Sequence, residues 1–264
     1  MALRLQRVPA ARGLVWMRQG LQVYARRPLA FTAMLLAFFT ASLVMSALLP
    51  EIGRWLVPMS LPLLNLAFMV ATQQTVHGSA VRPGQFVEAL RRPGPRRRSL
   101  LVLCVLYGLA FAAITTLADM LMGDASEQLR QLYAVGTTPT TEAQQAAAAD
   151  PRLLQGFGLL LGGLALLAIP FWHAPALVLW GEQGSAQSLF SSTLACWHNK
   201  GALALYAAVW FATVMLLGLL TTLVFAAMGM AQAASLAMLP LGLTLTTVFY
   251  ATQYFIFVDS FAPA

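Results

Sequence analysis

Charge is scarce in this sequence. Asp, Glu, Lys and Arg together make up 9% of its 264 residues, while 59% are apolar. Soluble domains are about a quarter charged and under half apolar. A chain of this length with so few charges cannot clothe a water-facing surface. A soluble enzyme and a soluble nucleic-acid-binding module are excluded together. Acids are fewer than bases, 9 against 16, and lysine is almost missing, Lys200 being the only one. The two cysteines, Cys104 and Cys196, lie far apart in or beside apolar stretches. That excludes a disulfide framework and a CxxC site and leaves packing as their role. No Walker loop, HExxH, GxSxG or carboxylate cluster occurs, so the sequence assigns no catalytic residue and no cofactor. His77, His173, His198 and Cys196 match no metal-ligand spacing. The apolar stretches also hold almost no acid or base, the usual mark of proton relays and coupled pumps. Asn65, Gln73, Gln74, His173 and Gln253 are their polar exceptions.

What remains is hydrophobic length. A helix rises 1.5 Å per residue, so about 20 apolar residues cross a bilayer. Six such stretches occur, at residues 29–49, about 56–75, 100–121, 151–179, 201–228 and 233–258. They predict a single all-α domain, a polytopic membrane bundle of six transmembrane helices. Pro58 and Pro62 fall where the second stretch opens, and no small-residue cleavage site follows the first, which therefore reads as an uncleaved span.

Arginine placement predicts direction. Arg4, Arg7, Arg12, Arg18, Arg26 and Arg27 precede the first span, and Arg82, Arg91, Arg92, Arg96, Arg97 and Arg98 lie between the second and third. With Lys200 they fall on one side, leaving Arg54, Arg130 and Arg152 on the other. The basic side is expected in the cytoplasm with both termini. Short amphipathic helices are expected at that interface. One carries Leu14, Met17, Leu21 and Tyr24 on a stripe; another holds Phe86, Val87 and Leu90; a third holds Leu189, Phe190, Leu194 and Trp197. On the far side, residues 125–135 and 142–149 read as short helices, with Asp150 and Pro151 opening the fourth span.

Three candidate features follow. Arg26, Arg27, Arg91, Arg92, Arg96, Arg97 and Arg98 set topology and can hold anionic lipid headgroups. Pro170 and Pro175 bracket His173 in the fourth span, where each removes a backbone donor and breaks or kinks the helix. Gly158 and Gly162 allow close helix approach, within the bundle or on a homodimer face. Ala204, Ala208 and Ala212 form a further small-residue seam in the fifth span.

The run Trp16, Met17, Arg18, Gln19, Gly20 leading to Arg26, Arg27, Pro28, Leu29, the segment from Phe171 to Leu177, and Cys196 to Lys200 carry a resemblance. Together they resemble an uncharacterised polytopic inner-membrane protein family of Gram-negative bacteria. The layout is more distantly similar to the membrane domain ahead of some bacterial glycerophosphodiester phosphodiesterases. The likeness extends from about Leu14 to Val258. It implies a multi-pass protein of the bacterial inner membrane and carries over no catalytic residue. In the distant relatives catalysis belongs to a separate soluble barrel domain, which is not expected in this chain. The resulting expectation is a non-enzymatic scaffold or accessory subunit contacting anionic lipid or a membrane-protein partner at the cytoplasmic face. The alternative is a small-solute or lipid transporter working through the proline-broken fourth span. A lipid-modifying enzyme is a third reading, and nucleic acid is not an expected partner.

Overall fold

The computed structural model describes residues 3–81, 90–91, 94–132, 140–230 and 233–263. Phe86, Val87 and Arg92 lie outside them, as do Arg82 and residues 133–139. Helices α1 (Arg12–Arg26), α2 (Pro28–Leu48), α3 (Pro50–Val76), α4 (Pro95–Met122), α5 (Asp124–Leu132) and α6 (Thr141–Ala149) are followed by α7 (Pro151–Phe171), α8 (Ala174–Trp180), α9 (Ser185–His198), α10 (Lys200–Ala227) and α11 (Ala233–Ser260). Among the described residues six helical segments are long and apolar enough to span a bilayer, with α7 and α8 together forming one of them. The all-α polytopic bundle predicted from the apolar runs is what the chain forms.

Prolines start these helices more often than they end them. Pro28, Pro50, Pro95 and Pro151 all stand in the first turn, where a missing N–H costs nothing. Asp150 caps α7 by accepting the Arg152 amide at 2.8 Å. The sequence placed the start of the second span near Pro58 and Pro62, but α3 begins at Pro50 and carries both prolines inside it. A membrane helix tolerates internal proline where neighbouring groups re-satisfy the backbone.

Burial is uneven along the bundle. In α3 the buried run extends from Pro62 to Thr75, and in α11 it lies mainly from Thr247 to Ser260. The opposite halves of α2, α10 and α11 expose Leu43, Leu48, Leu219, Leu223, Leu236 and Leu239. An apolar outer surface of that kind is stable in hydrocarbon and not in water. The packed core therefore sits in the half of the bundle nearest the chain termini.

Two elements close that half. Helix α1 crosses α10 and α11 with Gly13, Trp16, Gly20 and Val23 buried. A Cβ on Gly13 would stand 2.6 Å from the Ala202 carbonyl, and one on Gly20 would stand 2.4 Å from the Thr252 methyl. Glycine is what allows this approach. The buried face is thus offset by one residue from the stripe read in the sequence, and Leu14 and Leu21 of that stripe are exposed. Strand β1 (Leu3–Leu5) then pairs antiparallel with β2 (Phe261–Pro263), placing the two ends of the chain on one face. Asn199 fastens them. Its Oδ1 accepts the Val8 amide at 2.9 Å, and its Nδ2 donates to the Gln6 carbonyl at 3.1 Å and to Ser260 Oγ at 3.3 Å. Beside it Asp259 Oδ2 accepts from Arg12 Nε at 2.8 Å and from Trp16 Nε1 at 2.6 Å.

Candidate functional site

The proline-bracketed segment is a real helix break. Helix α7 ends at Phe171 and α8 begins at Ala174. In an unbroken helix the His173 amide would donate to the Ile169 carbonyl. Here the Ser192 hydroxyl of α9 stands between them, accepting the His173 amide at 3.0 Å and donating to the Ile169 carbonyl at 3.0 Å. Cys196 Sγ reaches the same carbonyl at 3.5 Å. On the other side, Asn65 of α3 donates from Nδ2 to the Trp172 carbonyl at 3.2 Å. Side chains from two other helices thus replace the backbone pairs that the break removes, as a membrane interior requires.

Helix α9 is inverted for this purpose. Ser188, Ser192 and Cys196 face inward, whereas Phe190 and Trp197 are each about two-thirds exposed. Lys200 lies 4.6 Å over the Trp197 ring, an arrangement suited to headgroup level. Burial pushes the Cys196 thiol up to about 12, so it stays protonated near neutral pH. His198 points the other way, bonded through Nδ1 to the Leu194 carbonyl, and His77 bonds likewise to the Gln73 carbonyl. His173 is buried against Phe257 and Phe261. The structure does not bring these histidines together, and no three His, Cys, Asp or Glu side chains form a group among the described residues.

Next to the break lies a pocket of about 160 Å³ between α3, α4, α7 and α11. Asn65, Tyr107, Trp172, Tyr250 and Gln253 supply its polar groups, and Phe171 and Phe249 add apolar wall. Asn65 and Gln253 were visible in the sequence as polar exceptions; their convergence with Tyr107 and Trp172 was not. Pro170 and Pro175 flank the break but do not line the pocket.

The arginines divide. Arg96, in the first turn of α4, pairs with Glu182 of the loop after α8. Arg97 and Arg98 have no ion-pair partner among the described residues. They open a groove of about 560 Å³ that continues over Leu101, Val102, Val105 and Leu106 on the outer side of α4. Arg26 and Arg91 are exposed, and Arg27 is half-buried.

Gly158 and Gly162 do not pack within the bundle as one reading of the sequence held. Among the described residues no atom lies within 4 Å of a Cβ built on either, and both are exposed. The close approaches of α7 are made by Gly156, against Met122 and Ala118, and by Gly163, against Ile114. Ala204, Ala208 and Ala212 are exposed too.

A probable inner membrane protein of Burkholderia thailandensis is 30% identical to this chain over 259 residues, covering 96% of the chain and 92% of that protein. The chain belongs to that inner-membrane protein family. Six apolar helices and this relationship together make it a multi-pass inner-membrane protein. No family model and no solved structure matches it. Nothing in these comparisons supports the more distant likeness to phosphodiesterase membrane domains. The family resemblance read from Trp16–Gly20, Phe171–Leu177 and Cys196–Lys200 agrees with the identification. The structure gives those segments physical work: the first supplies the Asp259 contact and the α10–α11 crossing, the second is the break, and the third includes its Cys196 stitch and the Asn199 clasp.

Proposed function

We propose that this inner-membrane protein is a non-enzymatic scaffold that holds anionic phospholipid at its arginine-bearing face, which the positive-inside rule places in the cytoplasm. The observation that carries this reading is the groove headed by Arg97 and Arg98 and floored by Leu101, Val102, Val105 and Leu106. Its order matches a phospholipid. Guanidinium groups pair with a phosphate at headgroup level, and the apolar floor continues about 12 Å down α4, at 1.5 Å per residue, where an acyl chain lies. Basic residues near an anionic leaflet contribute about 1 kcal/mol each. The side-chain-stitched break between Phe171 and Ala174 favours a platform over a transporter that exposes backbone to solute.

The test is native mass spectrometry of protein equilibrated with equal phosphatidylglycerol and phosphatidylcholine. The intact chain should retain phosphatidylglycerol severalfold over phosphatidylcholine, and the Arg97→Gln/Arg98→Gln variant should lose that preference. Retention in the bulk ratio by the intact chain, or an unchanged preference in the variant, overturns the proposal.

A further inference from the structure

The pocket beside the helix break has unmet chemistry of its own. Asn65 Oδ1 and Trp172 Nε1 are buried, and neither has a hydrogen-bond partner among the described residues. The orientation of the Asn65 amide follows from its other end, since Nδ2 donates to the Trp172 carbonyl and Oδ1 must be the free acceptor. Buried polar groups in folded proteins nearly always find a partner. Asn65 and Trp172 line the pocket with Tyr107, Tyr250 and Gln253.

We propose that this pocket binds a small uncharged molecule carrying a hydroxyl or carboxamide on a flat apolar body. Three observations define that class. Among the described residues no ionised side chain lines the pocket, so an ion entering it would lose hydration with no countercharge to replace it. The hydroxyls of Tyr107 and Tyr250 and the carboxamides of Asn65 and Gln253 give the lining both donors and acceptors, which a hydroxyl or carboxamide can meet. The rings of Tyr107, Phe171, Phe249 and Tyr250 form walls that favour an aromatic body over a branched one.

Size narrows it further. The volume of about 160 Å³ is close to that of an engineered cavity of about 150 Å³ that admits benzene. A single ring bearing one polar group fills it. The same space corresponds to roughly five waters at about 30 Å³ each, so a purely hydrated pocket is the competing outcome.

The experiment uses the full chain in lipid nanodiscs and fluorine NMR of 4-fluorophenol and 4-fluorobenzamide, with 4-fluorobenzoate as the charged comparison. Empty nanodiscs supply the partitioning background. Saturable binding of at least one neutral probe above background is expected, with none for the benzoate. Ala168 lines the pocket without contributing a side-chain polar group, so Ala168→Leu fills the space and leaves the Asn65 bond intact. That variant should weaken binding at least tenfold. Asn65→Leu should do the same, and if it fails to fold, Ala168→Leu decides alone. Neutral probes that only partition like the background, binding indifferent to Ala168→Leu, or saturable binding of the benzoate would each overturn the proposal.

Discussion

The hydroxyl of Ser192 occupies the place of the hydrogen bond that His173 would otherwise make within its own helix. It accepts the His173 amide and donates to the Ile169 carbonyl, both at 3.0 Å. Ser192→Ala removes both partners at a fully buried point. The expected loss is about 1–3 kcal/mol, read as a lower midpoint in thermal or SDS unfolding. Unchanged stability would mean that the 169–173 backbone pair closes by itself and that Ser192 does not hold the break open.

The two sets of glycines should respond oppositely. Gly13→Ala places a Cβ 2.6 Å from a backbone carbonyl of α10 and 2.8 Å from the Tyr206 amide nitrogen, neither of which can swing aside. Overpacking of this kind costs about 1–3 kcal/mol. Gly162→Ala meets nothing within 4 Å and should be neutral, or more stable by up to about 1 kcal/mol through helix propensity. A destabilising Gly162→Ala, or one that lowers an oligomeric mass in detergent, would show that the outer face of α7 is covered by a second copy.

The clasp between the chain ends is tested by Asn199→Ala. Val8 loses its acceptor and Gln6 and Ser260 lose a donor. Hydrogen exchange at the Val8 amide should accelerate while that at Leu64 and Leu66, in the buried run of α3, stays slow. Equal acceleration at both would mean that Asn199 supports the whole bundle rather than the termini.

In a Cys104→Ala background, Cys196 should resist maleimide in the folded protein. Its raised pKa keeps the thiol protonated through the neutral range, so the rate should stay low and rise little in absolute terms from pH 7 to 9. After unfolding, the thiol returns towards its ordinary value near 8.5 and the rate should climb steeply over that interval. Rapid labelling of folded protein at pH 7 would contradict the inward orientation of α9.

The spans were legible because a bilayer demands long apolar runs, and arginine placement marked one end of them. The faces of the shorter helices were harder to read. Leu14 and Leu21 formed the visible stripe of α1, yet Gly13 and Gly20 are what the bundle buries, since close backbone approach leaves no mark on hydropathy. In α9 the serines turn inward to serve a broken helix while Phe190 and Trp197 turn outward, the reverse of a soluble amphipathic helix. Ala204, Ala208 and Ala212 were read as a seam, but α10 presents Ala202, Tyr206 and Trp210 to its neighbours instead. The break itself could be read from Pro170 and Pro175. Its closure by Ser192 and Asn65 could not, because both lie on other helices. Residues 3–5 and 261–263 are too short to signal a strand pair.

Orientation has a separate check. A periplasm-active reporter fused after Gln128 of α5, and not one fused at the C-terminus, should be active, because the arginine-rich face is assigned to the cytoplasm. The reverse pattern would turn the lipid groove towards the outer leaflet and undo its assignment.

The central claim is that phospholipid lies in the α4 groove, and a photo-crosslinking residue at Val102 in the native membrane interrogates it directly. Mass spectrometry of the adducts should find anionic phospholipid enriched over its share of the membrane, with enrichment lost when Arg97 and Arg98 are changed to Gln. Adducts to another polypeptide, or to phospholipids in their bulk proportions, would contradict it.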